Sequence, residues 1–510
     1  MKRPVRYCLL IVCGSLALCL AWLVVERVSG AVALERFLAE LRKNGEGLEV
    51  DSLGPASRPD DTNNAFVALT ARSSDIKAML VGDDVFPPSG RTTGPGRAVA
   101  GQRLDRWLSI KKATNTWGEA GDLLERNARV LTGIHLALMR PSYDSGYQYQ
   151  GGFNQPAFGE FRTIKVVVTV LNGAAIYELR QGHRDAALRH LMDAIRLPAQ
   201  QQDERLVISQ FTQQALLSMD FDAVWSALQE PGWTEPQLAR LQTAWSGMDL
   251  ITDMEKALAM DRARHLLYVE YLRSSPEALD TALGQMRTVH AFWNSPSIAD
   301  RVADRLHPFQ PLSWKFVWNE QDTLYYLQST ERLIQMCRLA SHGGWGEIQR
   351  TANVHWEANL PDEDLMTGVG EAWINYRFPF SQGGKGLDEG GIRRTLMAQT
   401  RQQMVCAALA CHRYQLNSGE WPENLTQLVP QFMATTPRDR IGGGELLYRR
   451  DPQRGFILYS RGLNGVDDGG DPRPENPAKS RPSFASGKDI VWPEAATTAE
   501  AEAFLMRAAN

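Results

Sequence analysis

The chain is poor in cysteine and histidine and carries no excess of charge of one sign. Six cysteines and nine histidines occur in 510 residues. Cys8, Cys13 and Cys19 share one apolar run, which leaves Cys337, Cys406 and Cys411 for the rest. Three scattered cysteines exclude a dense disulfide framework. No His-Glu-x-x-His motif is present, which excludes a zinc hydrolase of that type. Fifty-five Lys and Arg stand against 59 Asp and Glu; without a basic field there is no general pull toward polyanions, and no nucleic-acid partner is expected. Glycine (42) and proline (26) stay near globular usage, so most of the chain is expected to fold. At roughly 100 to 200 residues per domain, the length suits two to four domains.

What is present begins with a hydrophobic run. Residues 7–25, YCLLIVCGSLALCLAWLVV, contain no charge, and at about 1.5 Å per helical residue they nearly cross a bilayer core. Lys2, Arg3 and Arg6 precede the run, while Glu26 and Arg27 balance each other after it. The positive-inside bias therefore places the N-terminus in the cytoplasm and the bulk outside it, as a single-pass protein of the periplasm or cell envelope. A cleaved signal peptide is the alternative, with small residues Ser29, Gly30, Ala31 and Ala33 as its site. The run is longer than the roughly 7 to 15 residues usual for such a peptide, which favours an uncleaved anchor.

Beyond the anchor (1–31) comes a stalk and linker (32–103). Residues 32–43 keep an amphipathic helical spacing, and 44–62 is a linker without periodicity. The glycine-rich 87–101 lacks the Gly-Lys-Ser/Thr ending of a phosphate loop and reads as a plain loop. Residues 104–381 are expected to be a helical body: 104–339 mostly have a period near 3.6, with helices expected at 117–139, 161–179, 185–197, 204–228, 235–247 and 252–272. In 173–198, GAAIYELRQGHRDAALRHLMDAIRLP, Gly182 marks a turn, Ala187, Leu191 and Ala194 supply contacts, and Pro198 is expected to end the second helix. This pair resembles a tetratricopeptide hairpin, with no second copy at the family's period, so the body is expected to be an irregular solenoid of helical hairpins that docks a protein partner. The aromatic-rich 290–318, with Phe292, Trp293, Phe309, Trp314, Phe316 and Trp318, is expected to be core or interdomain packing. Five glycines within 382–391 place a domain boundary there.

The last part, 392–510, reads as a small α+β module with a disordered tail. A long helix over 393–416 is followed by two alternating runs, 445–450 and 455–460, joined by the turn sequence DPQR. The order helix, GEWPENLTQLVP, TTPRDRIGGGELLYRR, GFILYSRGLNGVDDGGD and DIVW resembles the C-terminal globular region of the major pseudopilins of type II secretion. The resemblance covers about 100 residues. It implies a calcium-holding loop to which the Arg461 carbonyl and the Asn464 and Asp471 side chains contribute, with Asp489, Ile490 and Trp492 following. Asn464 stands where the family has an acid, a proline-rich 472–482 is inserted, and the membrane run carries no processed leader or assembly glutamate. Independently, NGVDDGGD offers oxygens from Asn464, Asp467, Asp468 and Asp471 among three glycines, and calcium takes roughly six to eight oxygens in a flexible loop. A solvated acidic turn is the alternative, since EF-hand spacing is absent.

Candidate catalytic groupings are weak. Cys406, Cys411 and His412 do not converge on one helical face. Ser109 and Lys112 lack the partner motifs of serine acyl-enzymes. Asp362, Glu363 and Asp364, following Pro361, suit the first turn of a helix better than a glycosidase pair. The expectation is a mainly α protein: a membrane-anchored extracytoplasmic scaffold or binding protein, with a calcium-stabilised C-terminal module. A cell-envelope enzyme with a cleft in the helical body and an accessory component of a type II secretion-like system are the alternatives.

Overall fold

In the computed structural model the chain is mainly helical with few strands. Residues 3–509 are described except 56–59, 61, 80–85, 87–91, 95–96, 99–103, 109–112, 155–159, 294–304, 341, 357–368, 384–388, 453, 474–487 and 496. Ser109, Lys112 and the acids 362–364 lie outside the described residues, as do most of 472–482 and the side chains of Phe292 and Trp293.

Helix α1, Arg3–Lys43, merges the apolar run and the expected stalk into one rod that is long and apolar enough to cross a membrane. It stops at Gly45, whose φ of 78° permits two closing bonds, Glu46 N–H to Leu41 O (3.0 Å) and Gly45 N–H to Arg42 O (3.1 Å). The expected linker then contains a helical turn, Val50–Leu53, whose Val50 is buried with Tyr147, Tyr149 and Met260.

The body is built of α2 (Trp117–Arg126), α3 (Ala128–Leu138), α4 (Phe161–Arg180), α5 (Arg184–Gln200), α6 (Val207–Ala227), α7 (Glu235–Ser246), α8 (Leu250–Ser274), α9 (Pro276–Trp293) and α10 (Asn319–Leu339). Two expectations are corrected. The helix expected over 117–139 is broken at Asn127, where the side-chain amide caps Leu123 O (2.8 Å) and satisfies an orphaned carbonyl. Pro198 does not end α5, which runs on to Gln200: the ring forfeits the N–H bond to Ala194 O, while the Pro198 carbonyl is held by Gln213 Nε2 (2.9 Å). The α4–α5 turn is as expected: Gly182, at φ 81°, lets His183 N–H reach Glu178 O (2.8 Å). Packing pairs α4 with α5 and α6, and α8 with α10, while α1 lies along α10.

Helix α11 (Val369–Arg377) and the thirty-residue α12 (Glu389–Ser418) follow. α12 packs on α6, α7 and α8, and Met404 to Cys411 are buried on every side. A helix apolar all round belongs in an interior. One apolar cluster accordingly runs from Ala65 through α4, α6 and α12 to Trp492, so the chain on either side of 382–391 shares a core. Strands β1 (Leu447–Asp451), β2 (Gly455–Ser460) and β3 (Ile490–Val491) form an antiparallel sheet ordered β1-β2-β3, with Leu447 opposite Tyr459 and Ser460 opposite Ile490. The sheet docks on α6: Trp225 Nε1 donates to Pro493 O (2.8 Å), and Trp492 meets Phe221 edge to face at 5.1 Å.

The expected disordered tail is corrected to a helix, Thr498–Ala509, whose Ala501 is buried against Leu104. Its start is capped reciprocally: Thr497 N–H donates to Glu500 (2.9 Å), and Glu500 N–H to the Thr497 hydroxyl (3.3 Å). Within 87–101, Thr92–Gly94 and Arg97–Ala98 are short strands, the second parallel to Glu494–Ala495.

Candidate functional site

The acidic loop is set by the return of β3 beside β2. That return places Asp489 against the turn, where its Oδ2 accepts the N–H groups of Gly470 (2.7 Å) and Asp471 (3.1 Å). Gly462 is required by close approach: at φ 64°, a Cβ there would lie 2.1 Å from Lys488 O. The sequence-chosen residues are brought to one loop but not to one point. Asp467 Oδ1 accepts the Tyr459 hydroxyl (3.1 Å) and Gly469 N–H (2.9 Å). Asn464 Nδ2 donates to Asp468 (3.0 Å). Arg473 grips Asp471 through Nε and Nη2, both at 2.7 Å, and pulls its carboxyl down to about 2.

The amide and side chain of Arg461 face elsewhere than the acidic turn. Its N–H donates to Asp439 Oδ2 (3.0 Å) and its guanidinium to Gly443 O (3.0 Å). Asp439, which was not among the chosen residues, organises this corner by also accepting Gly442 N–H (2.9 Å) and the Ser460 hydroxyl (2.8 Å). Its sequence signal is an acid ahead of the three glycines of DRIGGG.

A resident ion can be tested against these positions. Among the described residues no three His, Cys, Asp or Glu side chains form a metal-holding group. A cation is already present, because Lys488 Nζ lies 3.6 Å from Asp471 and 4.0 Å from Asp468. One acceptor is left over: Asp489 Oδ1 is buried without a partner, and burial raises that carboxyl above its ordinary value. The loop therefore fits an added metal only with Lys488 swung out.

A second constellation lies where α1 leaves its apolar run. Arg377 Nη2 pairs with Glu26 (2.7 Å) and donates to Gln321 Oε1 (2.9 Å); Gln321 Nε2 in turn donates to Glu26 Oε2 (2.8 Å). Arg27 Nη1 donates to Phe316 O (2.7 Å). Twenty residues beyond Glu26, Glu46 receives Arg338 Nη1 (2.7 Å) and the wholly buried Arg262 (2.8 Å), which also binds Glu331. Burial works to raise the Glu46 carboxyl, but these two cations hold it below its usual value. No family model, curated protein or solved structure matches the chain.

A buried titratable group joins α8 and α10. Tyr326 donates its hydroxyl to Asp261, His265 stacks on Tyr326 at 3.6 Å, and Arg264 reaches Tyr147. Burial pushes His265 down to about 3, which leaves the ring neutral at physiological pH, and the side chains around it are buried too. Cys337, Cys406 and Cys411 are free and buried. Burial raises all three thiols, so they are packed as small hydrophobes rather than reactive groups.

Proposed function

We propose that the protein is a single-pass, membrane-anchored extracytoplasmic scaffold whose helical body presents a docking surface to a protein partner. The carrying observation is α1, which is apolar and exposed from Val12 to Trp22 and then held to the body by Arg377 and Gln321 at Glu26, with Arg262 and Arg338 holding Glu46 just past its end. A scaffold needs its body fixed to its anchor, and two ion-paired contacts at Glu26 and Glu46 provide that. The clasp also supports retention of the helix past Gly30, since Glu26, Arg27 and Gly30 all contact the body. The lysine and arginines before the run favour a cytoplasmic N-terminus. A reporter fused after residue 40 tests this: activity outside the cytoplasm is expected, and activity confined to the cytosol overturns the orientation.

Calcium at the acidic loop is a second reading, favoured by the unpartnered Asp489 Oδ1. The ion would replace Lys488 between Asp468 and Asp471. Calcium is then expected to raise the melting midpoint of the full chain over that in chelator, and Asp489→Asn to abolish the increment. Equal midpoints in both conditions remove the ion.

A further inference from the structure

The segment 306–318 is apolar on both of its faces. It runs as His307–Phe309, Gln310–Ser313 and the wide turn Trp314–Trp318. Gln310, Trp314 and Trp318 point inward: Gln310 donates to Tyr376 O (2.9 Å), and Trp314 Nε1 to Asp322 (2.7 Å). The opposite stripe is Leu306, Phe309, Leu312 and Phe316 at helical spacing, with Phe309 63%, Leu312 61% and Phe316 53% exposed. Packing accounts for the inner face only. Large side chains kept at such exposure in one contiguous stripe mark an interaction surface.

The anchor fixes the height of this stripe. Leu23, two residues inside the apolar run, packs with Trp318, Tyr376 and Phe378, and Trp22 lies 6.0 Å from the Arg377 guanidinium. Arg27, which follows the run by two residues or about 3 Å of rise, holds Phe316 O at 2.7 Å. If residues 7–25 cross a bilayer, the backbone of 316–318 therefore lies at the level where the acyl chains end. Trp373 stands at the same corner, edge-on to Trp318 at 5.6 Å and stacked on Tyr376 at 5.6 Å. Tryptophan and tyrosine at that level suit the interfacial belt. Arg305 and Lys315 flank the stripe, with long side chains able to reach lipid phosphates.

We infer that Leu306, Phe309, Leu312 and Phe316 form a second, monotopic membrane contact that inserts into the same leaflet from which α1 emerges. The occupant is the lipid interface, and the inference rests on the anchor reading. Together with the transmembrane rod, the insertion fixes the tilt of the body over the membrane. A helix held by one rod alone would leave the body free to lean.

The test uses the full chain in lipid nanodiscs, with Cys8, Cys13 and Cys19 changed to alanine. Nitroxide labels are placed singly at Phe309→Cys, Leu312→Cys and Phe316→Cys, with Leu16→Cys in the anchor and Thr243→Cys on the exposed face of α7 as references. These positions are exposed, so the fold is retained. Relative to Thr243, the three sites are expected to show raised collision with oxygen and reduced collision with a nickel chelate, at a depth of about 5–10 Å below the phosphates. Nickel access equal to that at Thr243, with Leu16 reading lipid, overturns the insertion and leaves the anchor standing. Water-like access at Leu16 overturns the anchor and the insertion together. Low access to both reagents that persists in detergent shows a second copy of the chain covering the stripe, and overturns the lipid.

Discussion

Asp220 shows what burial does to a single carboxylate. It sits on α6 with Oδ1 accepting Asn172 Nδ2 (2.8 Å) while Oδ2 has no partner, and burial lifts its carboxyl to about 7. A folded-state value above the unfolded one means that the neutral form stabilises the fold below pH ~3.9, and that this stability is lost as pH rises through about 7. Asp220→Asn is therefore expected to raise stability by about 1–3 kcal/mol at pH 8 and to lose that advantage near pH 4, in denaturant titrations at both pH values. Glu46 behaves oppositely. Its carboxyl is held low, so its contribution is complete above the unfolded value and fades as pH falls through the folded one. Glu46→Gln leaves the buried Arg262 with Glu331 as its one carboxylate and removes a partner of Arg338, and is expected to cost roughly 1–3 kcal/mol at pH 7, with a smaller deficit below pH ~4. No change at pH 7 would show that Glu46 is dispensable to the clasp. That Asn464, Asp467, Asp468 and Asp471 share one turn was legible in the sequence, because they are neighbours along the chain. Lys488 and Asp439 were not, because their partners lie across β-strand returns that spacing along the chain does not report.

At the scale of elements, amphipathic helices were the most readable features. α4 to α8 appear within a few residues of their expected spans because apolar residues recur at helical spacing between breakers such as Gly182, Pro231, Gly232 and Pro276. The tail helix was missed although TTAE (497–500) carries the Thr-x-x-Glu signature of a capped start, a signal obscured by an alanine-rich face with little hydrophobic contrast. The outer stripe of 306–318 was taken for packing, since the sequence shows an apolar residue without showing which face it occupies. Gly30 tests how closely two elements must approach. A Cβ there would come 2.7 Å from Gln321 Cγ and 3.5 Å from its backbone nitrogen, so the glycine lets α1 lie on α10. Gly30→Leu is expected to push Gln321 away from Glu26 and Arg377 and to cost about 1–3 kcal/mol of stability by overpacking. Hydrogen exchange read on Phe316 to Tyr325 should accelerate in that variant; unchanged protection would mean that the rod and the body are not held together at this point.

At the scale of the molecule, composition and period gave the mainly helical class, whereas the division into body and module was drawn from glycines alone. A glycine-rich run does not report whether the segments on either side share a core, and here they do. Gln242 Nε2 on α7 donates to Phe432 O (2.8 Å), Gln399 Oε1 on α12 accepts Leu250 N–H (2.7 Å) from α8, and Trp345 N–H donates to Ile441 O (2.8 Å). Removing the body would expose Leu396, Met404, Val405 and Leu409 on α12 at roughly 1.5–3 kcal/mol for each large side chain, more than a module with one small sheet can offset. The chain beyond α1 is thus expected to unfold as one unit. Calorimetry of the detergent-solubilised chain should give a single transition with matching calorimetric and van't Hoff enthalpies. The fragment from residue 391 onward should show no cooperative melt and should bind a dye that reports exposed apolar surface. A cooperative transition in that fragment would establish the module as an independent domain, and the shared core as a docking contact between two.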